Sequence, residues 1–225
     1  MDPRPVNEQE DAAGVPFREV VGSLLWIANQ TRPDISNAVL VVARHSHEPK
    51  DIHWDAAKKI LNYLLANAEL SLKFSREVGV DVRTEVYVDA DYASKETDRR
   101  SISGALVLVG GSPVAWFSRT QKCVTLSTTE AEYVAMGDGV KEALFINGVL
   151  GFMLPGTTLK GIKVLEDNQG AIALGENPLT TPNSKHIDVR HHFVKGLCQK
   201  GSIVLGACRY RGSARRHSHE GAATG

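Results

Sequence analysis

The sequence has no run of about 18 or more apolar residues, so no membrane-spanning helix is expected. Its first residues, MDPRPVNEQEDAAG, are polar, and no secretory signal is expected there. Cysteine is scarce. Cys123, Cys198 and Cys208 are odd in number and lack framework spacing, which argues against a disulfide scaffold and for a reducing, intracellular setting. No CxxC or Cys/His zinc pattern occurs. An excess of one charge is missing too: Lys+Arg and Asp+Glu both total 26, which speaks against non-specific coating of nucleic acid. What remains is ordinary for a globular chain. The 225 residues are 42% hydrophobic and 23% charged, enough for one full domain and part of a second.

The even charge conceals a split. Residues 206–225 carry four Arg against one Glu, lack any apolar period, and are expected to be a disordered basic tail. Residues 1–16 are likewise expected to be disordered. Residues 17–76 read as a small helical segment. FREVVGSLLWIAN places Val20, Leu24 and Ile27 at roughly helical spacing, and RPDISNAVLVVARHS follows with Asp34 as a candidate cap. DIHWDAAKKILNYLLANAE puts Trp54, Ala57, Leu61 and Leu64 on one face. LSLKFS alternates and is predicted to be a strand. So short a piece needs something to dock on. SREVGVDVRT (75–84) reads as a linker or strand edge.

From residue 85 to 205 the pattern becomes β-rich. EVYVDAD is a strand with Val86 and Val88 on one face. GALVLVGGSPVAWFS is a hairpin about Gly110-Gly111. A long helix starts near Ser127, where Ser127 and Glu130 spell a capping box. GIKVLEDN is a strand, NQGAIALGEN a short helix, SKHIDVRHHFVKGLCQK a helix closed by Gly201, and SIVLGA a last strand. The order β-β-β-α-β-α-α-β implies an α/β fold, a mixed sheet with flanking helices.

Acidic residues stand where this chain geometry exposes them to chemistry. Asp89 ends an apolar strand, with Asp91 two residues on and on the same strand face. Glu130 and Glu132 open the long helix about 200° apart. Glu132 shares its face with Ala135, Met136, Gly139, Ala143 and Ile146, a small apolar face suited to a sheet. Asp167 stands at the C-terminal end of a strand and opens a helix, and Asp188 lies in KHIDVRHHF. Each has a plainer reading: Asp89 and Asp91 as turn acids, Asp167 and Asp188 as helix caps, Glu132 as a first-turn dipole partner. Carboxylates meeting at one sheet end stay ionised together when divalent cations neutralise them, and an all-oxygen set suits Mg²⁺ or Mn²⁺. To share two ions ~4 Å apart, such oxygens must converge within about 8 Å.

The words YVDADYA, DRRSISGALVLVGGSPVAWFSRTQKCVTLSTTEAEYVAM, EDNQGAIAL and KHIDVRHHF resemble the ribonuclease H region of copia-type retrotransposon Pol polyproteins. FREVVGSLLWIANQTRPDISNAV and HWDAAKKILNYL resemble the segment joining reverse transcriptase to ribonuclease H in that family. The resemblance covers about residues 17–205. It implies a ribonuclease H-like five-stranded mixed sheet, two bound Mg²⁺, and cleavage of the RNA strand of RNA–DNA hybrids. Carried over, the family acids fall on Asp89, Glu132 (with Glu130 as the alternative) and Asp167. The partners implied are the hybrid and the reverse transcriptase part of the same polyprotein.

Arg99, Arg100, Lys122, Lys185 and Arg190 are candidate phosphate contacts, with solvated surface charge as the plainer reading. His186, His191 and His192 lack zinc partners, and packing or surface roles are expected of them. The family's fourth acid, in an A-D-I-L-T-K word on a further helix, has no counterpart: SIVLGA runs into CRYRGSARRHSHEGAATG, as a reading-frame change would produce. Weakened metal binding and strongly reduced cleavage are expected. The polymerase palm is also missing from the resemblance, so no DNA synthesis is expected of this chain.

Overall fold

A computed structural model describes residues 14–74, 81–94, 98–156, 158–176 and 185–208, without the side chains of 81 and 185–191. The expected disordered ends fall largely on 1–13 and 209–225, outside the described residues.

Three helices form the first segment: α1 (Phe17–Gln30), α2 (Ser36–Ala43) and α3 (Asp51–Ala66), with a 3-10 turn Pro33–Ile35 before α2. Their apolar faces meet in a small core of Phe17, Val21, Leu24, Ile35, Val39, Ala57 and Ile60, with Trp54, Leu61 and Leu64 packed against it. Asp34 is not a helix cap. Its carboxylate accepts from Arg32 (Nε–Oδ1 3.0 Å, Nη2–Oδ2 2.8 Å), which holds it below the usual carboxylate range. The predicted strand at LSLKFS is corrected too: residues 70–74 are irregular, and Leu70 and Phe74 are exposed. Alternation describes the two faces of a strand but supplies no neighbour to pair with, and none is present among the described residues.

The sheet comprises β2 (Thr84–Asp91), β3 (Ile102–Val109), β4 (Ser112–Thr120), β6 (Ile162–Glu166) and β7 (Ile203–Ala207), in the order β4-β3-β2-β6-β7. β2, β3 and β4 pair antiparallel, whereas β6 runs parallel to both β2 and β7. A short parallel pair, β1 (Asp81–Val82) with β5 (Thr158–Leu159), lies apart from the sheet. Gly110 (φ 56°) and Gly111 (φ 74°) close the β3–β4 hairpin, where both turn residues need the left-handed region. β7 continues through Ala207, and the Cys208 N–H donates to the Glu166 carbonyl at 2.7 Å. Regular structure therefore runs past residue 206, where the composition breaks, because sheet pairing reads backbone rather than side-chain type.

The long helix α4 (Thr128–Met153) lies across the sheet, with α5 (Gln169–Glu176) and α6 (Lys185–Gln199) beside it. Val86, Val88, Val107, Met136, Val140, Ile162, Val164 and Ile203 are buried together between sheet and helices. Gly139 permits the close approach: a Cβ there would stand 2.5 Å from Val88 Cγ1 and 3.2 Å from Val86 Cγ2. The helical segment docks on edge strand β4. Trp116 Nε1 donates to the Ala28 carbonyl (2.7 Å), and Arg44 Nη2 to Thr120 Oγ1 (3.0 Å). Trp116 is thus half-buried at this seam rather than in the main core.

Candidate metal centre

Parallel pairing brings the C-terminal ends of β2 and β6 side by side, with Tyr87 opposite Leu165. Asp89 lies in β2 two residues beyond that pair, and Asp167 directly follows β6 two residues beyond it. The start of α4 lies over the same end and contributes Glu132. One carboxylate oxygen from each of Asp89, Glu132 and Asp167 lies within 4.8 Å of the others. That is well inside the span two ions ~4 Å apart can share.

The plainer reading of Asp167 fails on geometry. The cap of α5 is Asn168, whose Oδ1 accepts from the Ala171 N–H at 3.0 Å, so the Asp167 carboxylate is not used as the cap. Glu130 and Glu132 also separate cleanly. Ser127 Oγ accepts from the Glu130 N–H (3.1 Å), while Glu130 Oε2 accepts from the Leu126 N–H (2.7 Å). Glu130 thus serves the helix start, one residue earlier than the usual reciprocal bond. Glu132 is 8% exposed, and its Oε2 has no hydrogen-bond partner among the described residues.

Electrostatics mark the same place. The Glu132 carboxyl is pushed up to about 8, first by burial, then by the charges of Glu166, Asp89 and Asp167, with a hydrogen bond from the Ala90 N–H opposing. Asp89 keeps solvent exposure, yet partial desolvation, then Asp167 and Asp91, raise its carboxyl above the usual range. An all-oxygen donor set with an unpartnered buried oxygen fits a hard divalent cation such as Mg²⁺ or Mn²⁺.

One residue escaped the sequence reading. Glu166, beside Asp167, is fully buried, and its carboxyl is pushed up to about 7, chiefly by burial, with a hydrogen bond from the Asn168 N–H opposing. The alternation Ile162, Val164, Glu166 in GIKVLEDN was the available signal, since it sets Glu166 on the buried face.

The basic candidates divide. Arg99 and Arg100 lie on the β2–β3 connection and Lys122 on the β4–α4 connection. Asp91 pairs with Ile102, and Ile102 with Thr120, so both connections lie at the sheet end that carries Asp89. Arg99 and Lys122 are exposed, and Arg100 Nε stands 3.4 Å from Asp98 Oδ2. The side chains of Lys185, Asp188, Arg190, His186 and His191 lie outside the described residues. A buried polar set holds the loops around the site. The Ala93 N–H donates to Ser101 Oγ (3.0 Å), which meets Thr125 Oγ1 at 2.9 Å, and Gln121 Nε2 donates to Ser103 Oγ and the Ala131 carbonyl.

No family model matches the chain. It is 39% identical over 205 residues to the retrovirus-related Pol polyprotein from transposon TNT 1-94 of Nicotiana tabacum, covering 91% of this chain and 15% of the polyprotein. It is 36% identical over 132 residues to secreted RxLR effector protein 161 of Plasmopara viticola, covering 59% of this chain and 92% of that protein. Among solved structures, a foamy viral protease-reverse transcriptase in complex with RNA/DNA hybrid matches 93% of this chain and 26% of its own, with TM-score 0.54 and 13% identity. That likeness concerns the fold.

Proposed function

This chain belongs to the Pol polyproteins of copia-type retrotransposons, and from that premise we propose that it is a C-terminal part in which a reverse transcriptase connection segment precedes a ribonuclease H-like domain, whose acidic centre hydrolyses the RNA strand of RNA–DNA hybrids. The observation that carries the proposal is the convergence of Asp89, Glu132 and Asp167 within 4.8 Å at one end of the sheet. Because the chain spans 15% of the tobacco polyprotein, the activity of the whole polyprotein is a separate matter.

In this reading Asp89, Glu132 and Asp167 hold Mg²⁺ or Mn²⁺. A bound pair of such ions supplies a hydroxide at neutral pH and steadies the leaving oxygen. The protein's own part is to fix the carboxylates on rigid elements: Asp89 on a strand paired on both sides, Glu132 in the first turns of a packed helix, Asp167 beside the Asn168 cap. Arg99, Arg100 and Lys122 sit at the same sheet end and suit contacts to hybrid phosphates, with Lys185 and Arg190 as further candidates from the resemblance.

The fourth family acid has no counterpart after β7, where CRYRGSARRHSHEGAATG carries Glu220 as its one acid. Cleavage by this chain is therefore strongly reduced. The same observation favours the second reading, an inactive remnant that at most binds hybrid or a polymerase partner. Hybrid cleavage by the purified chain, against Asp167→Asn, decides between them. Slow, divalent-dependent RNA cleavage that disappears in the variant supports the nuclease. Equal signals from both refute it, and fast Mg²⁺-dependent cleavage refutes the impairment.

A further inference from the structure

β6 sends Ile162, Val164 and Glu166 to one face, and all three are at most 1% exposed. Two of them pack into the core under α4. The third is a carboxylate. Its Oε1 accepts from the Asn168 N–H at 3.0 Å, and its Oε2 is buried with no hydrogen-bond partner among the described residues. Among the described residues no basic side chain forms an ion pair with it. The charged groups that act on it are acids: Asp167 follows it directly in the chain, and the Glu166 charge is the largest charged influence raising the Glu132 carboxyl. Glu132 Oε2 is unpartnered in the same way. Two buried carboxylate oxygens left without donors are costly unless a cation meets them.

We propose that Glu166 is an additional, inward carboxylate of the metal centre, whose charge strengthens the hold of Asp89, Glu132 and Asp167 on a divalent cation. Glu166 is not one of the three residues whose oxygens converge, so it acts on the cation chiefly through charge. The inference rests on the reading of Asp89, Glu132 and Asp167 as cation ligands.

The test is Mn²⁺ binding to the full chain by calorimetry, with metal-free thermal unfolding measured in parallel, for the wild type, Glu166→Gln and Glu166→Leu. Leu fills the apolar face beside Val164 if Gln folds poorly. The expected result is a loss of Mn²⁺ affinity of about 10-fold in either variant, with a metal-free melting temperature equal to or above that of the wild type. A merely structural glutamate predicts the reverse pairing: a lower metal-free melting temperature with affinity falling only alongside it, and that result overturns the proposal. Unchanged affinity in a folded variant overturns it and leaves the three-acid site standing. No Mn²⁺ binding by the wild type overturns both.

Discussion

Two glycines of α4 carry opposite expectations, and the difference measures how tightly the helix is laid on the sheet. Gly139 and Gly148 sit in the same helix, so replacing either by Ala gains about 1 kcal/mol of helix propensity. At Gly148 nothing lies within 4 Å of the added methyl, and that gain is all that happens. At Gly139 the methyl would stand 2.5 Å from Val88 Cγ1 and 3.2 Å from Val86 Cγ2. Carbon atoms rest at about 3.5–4.0 Å, so helix and strand must part by roughly 1 Å. Val86 and Val88 are β-branched, buried and stiff, and cannot rotate aside freely. Overpacking of this kind costs about 1–3 kcal/mol, and the worst contact here points to the upper end. Net of the propensity gain, Gly139→Ala destabilises by about 1–2 kcal/mol, while Gly148→Ala stabilises by up to about 1 kcal/mol. In a domain of this size these are shifts of about −2 to −8 °C and up to about +4 °C in melting temperature. Asp89 follows Val88 directly, so parting α4 from β2 also moves Asp89 away from Glu132, and Gly139→Ala weakens Mn²⁺ binding where Gly148→Ala does not. Circular dichroism melts and Mn²⁺ titration of the two variants decide the matter. Equal stabilisation by both substitutions would show that the close packing of α4 on β2 does not control the site.

Without metal, stability falls as pH rises from about 4.5 to about 8. The Glu132 carboxyl moves from its ordinary 4.5 to about 8 and that of Glu166 to about 7, so in this window the folded state holds protons that the unfolded chain has released. The two carboxyls repel each other, so their effects overlap, and a loss of roughly 2–4 kcal/mol is expected. Urea unfolding in EDTA at pH 5, 6, 7 and 8 measures it, and a flat profile that Glu132→Gln leaves unchanged contradicts the prediction. Trp116→Phe removes the indole donor from the Ala28 carbonyl, one of the last carbonyls of α1, which has no partner within its helix. A loss of about 1 kcal/mol is expected, together with faster amide exchange in the helical segment than in the sheet. Exchange rising equally in both would show that the seam does not hold that segment.

Local pattern was enough for most elements and for placing Glu132, not Glu130, on the buried face of α4. The period of two in VYVDAD, the Ser127–Glu130 spacing and the small apolar face of α4 each involve residues a few positions apart, and the forces that act on them are equally local. The same logic misread LSLKF, because alternation is visible in a sequence and the lack of a pairing neighbour is not. It also left Asp167 divided between cap and ligand; the cap turned out to be the adjacent side chain, Asn168, which reaches the Ala171 N–H.

The sequence by itself determined the elements, their order, and a set of acids at strand and helix ends. The tertiary structure decided which of those acids meet. Asp89 and Asp167 come together only because β6 chose β2 as a parallel neighbour, and Glu132 joins them only because Gly139 lets α4 lie close. The seam between Trp116 and Ala28, and the burial of Glu166 beneath the site, have the same origin. Pairing and packing between distant stretches are settled by the collective burial of apolar surface, which no short window of residues contains.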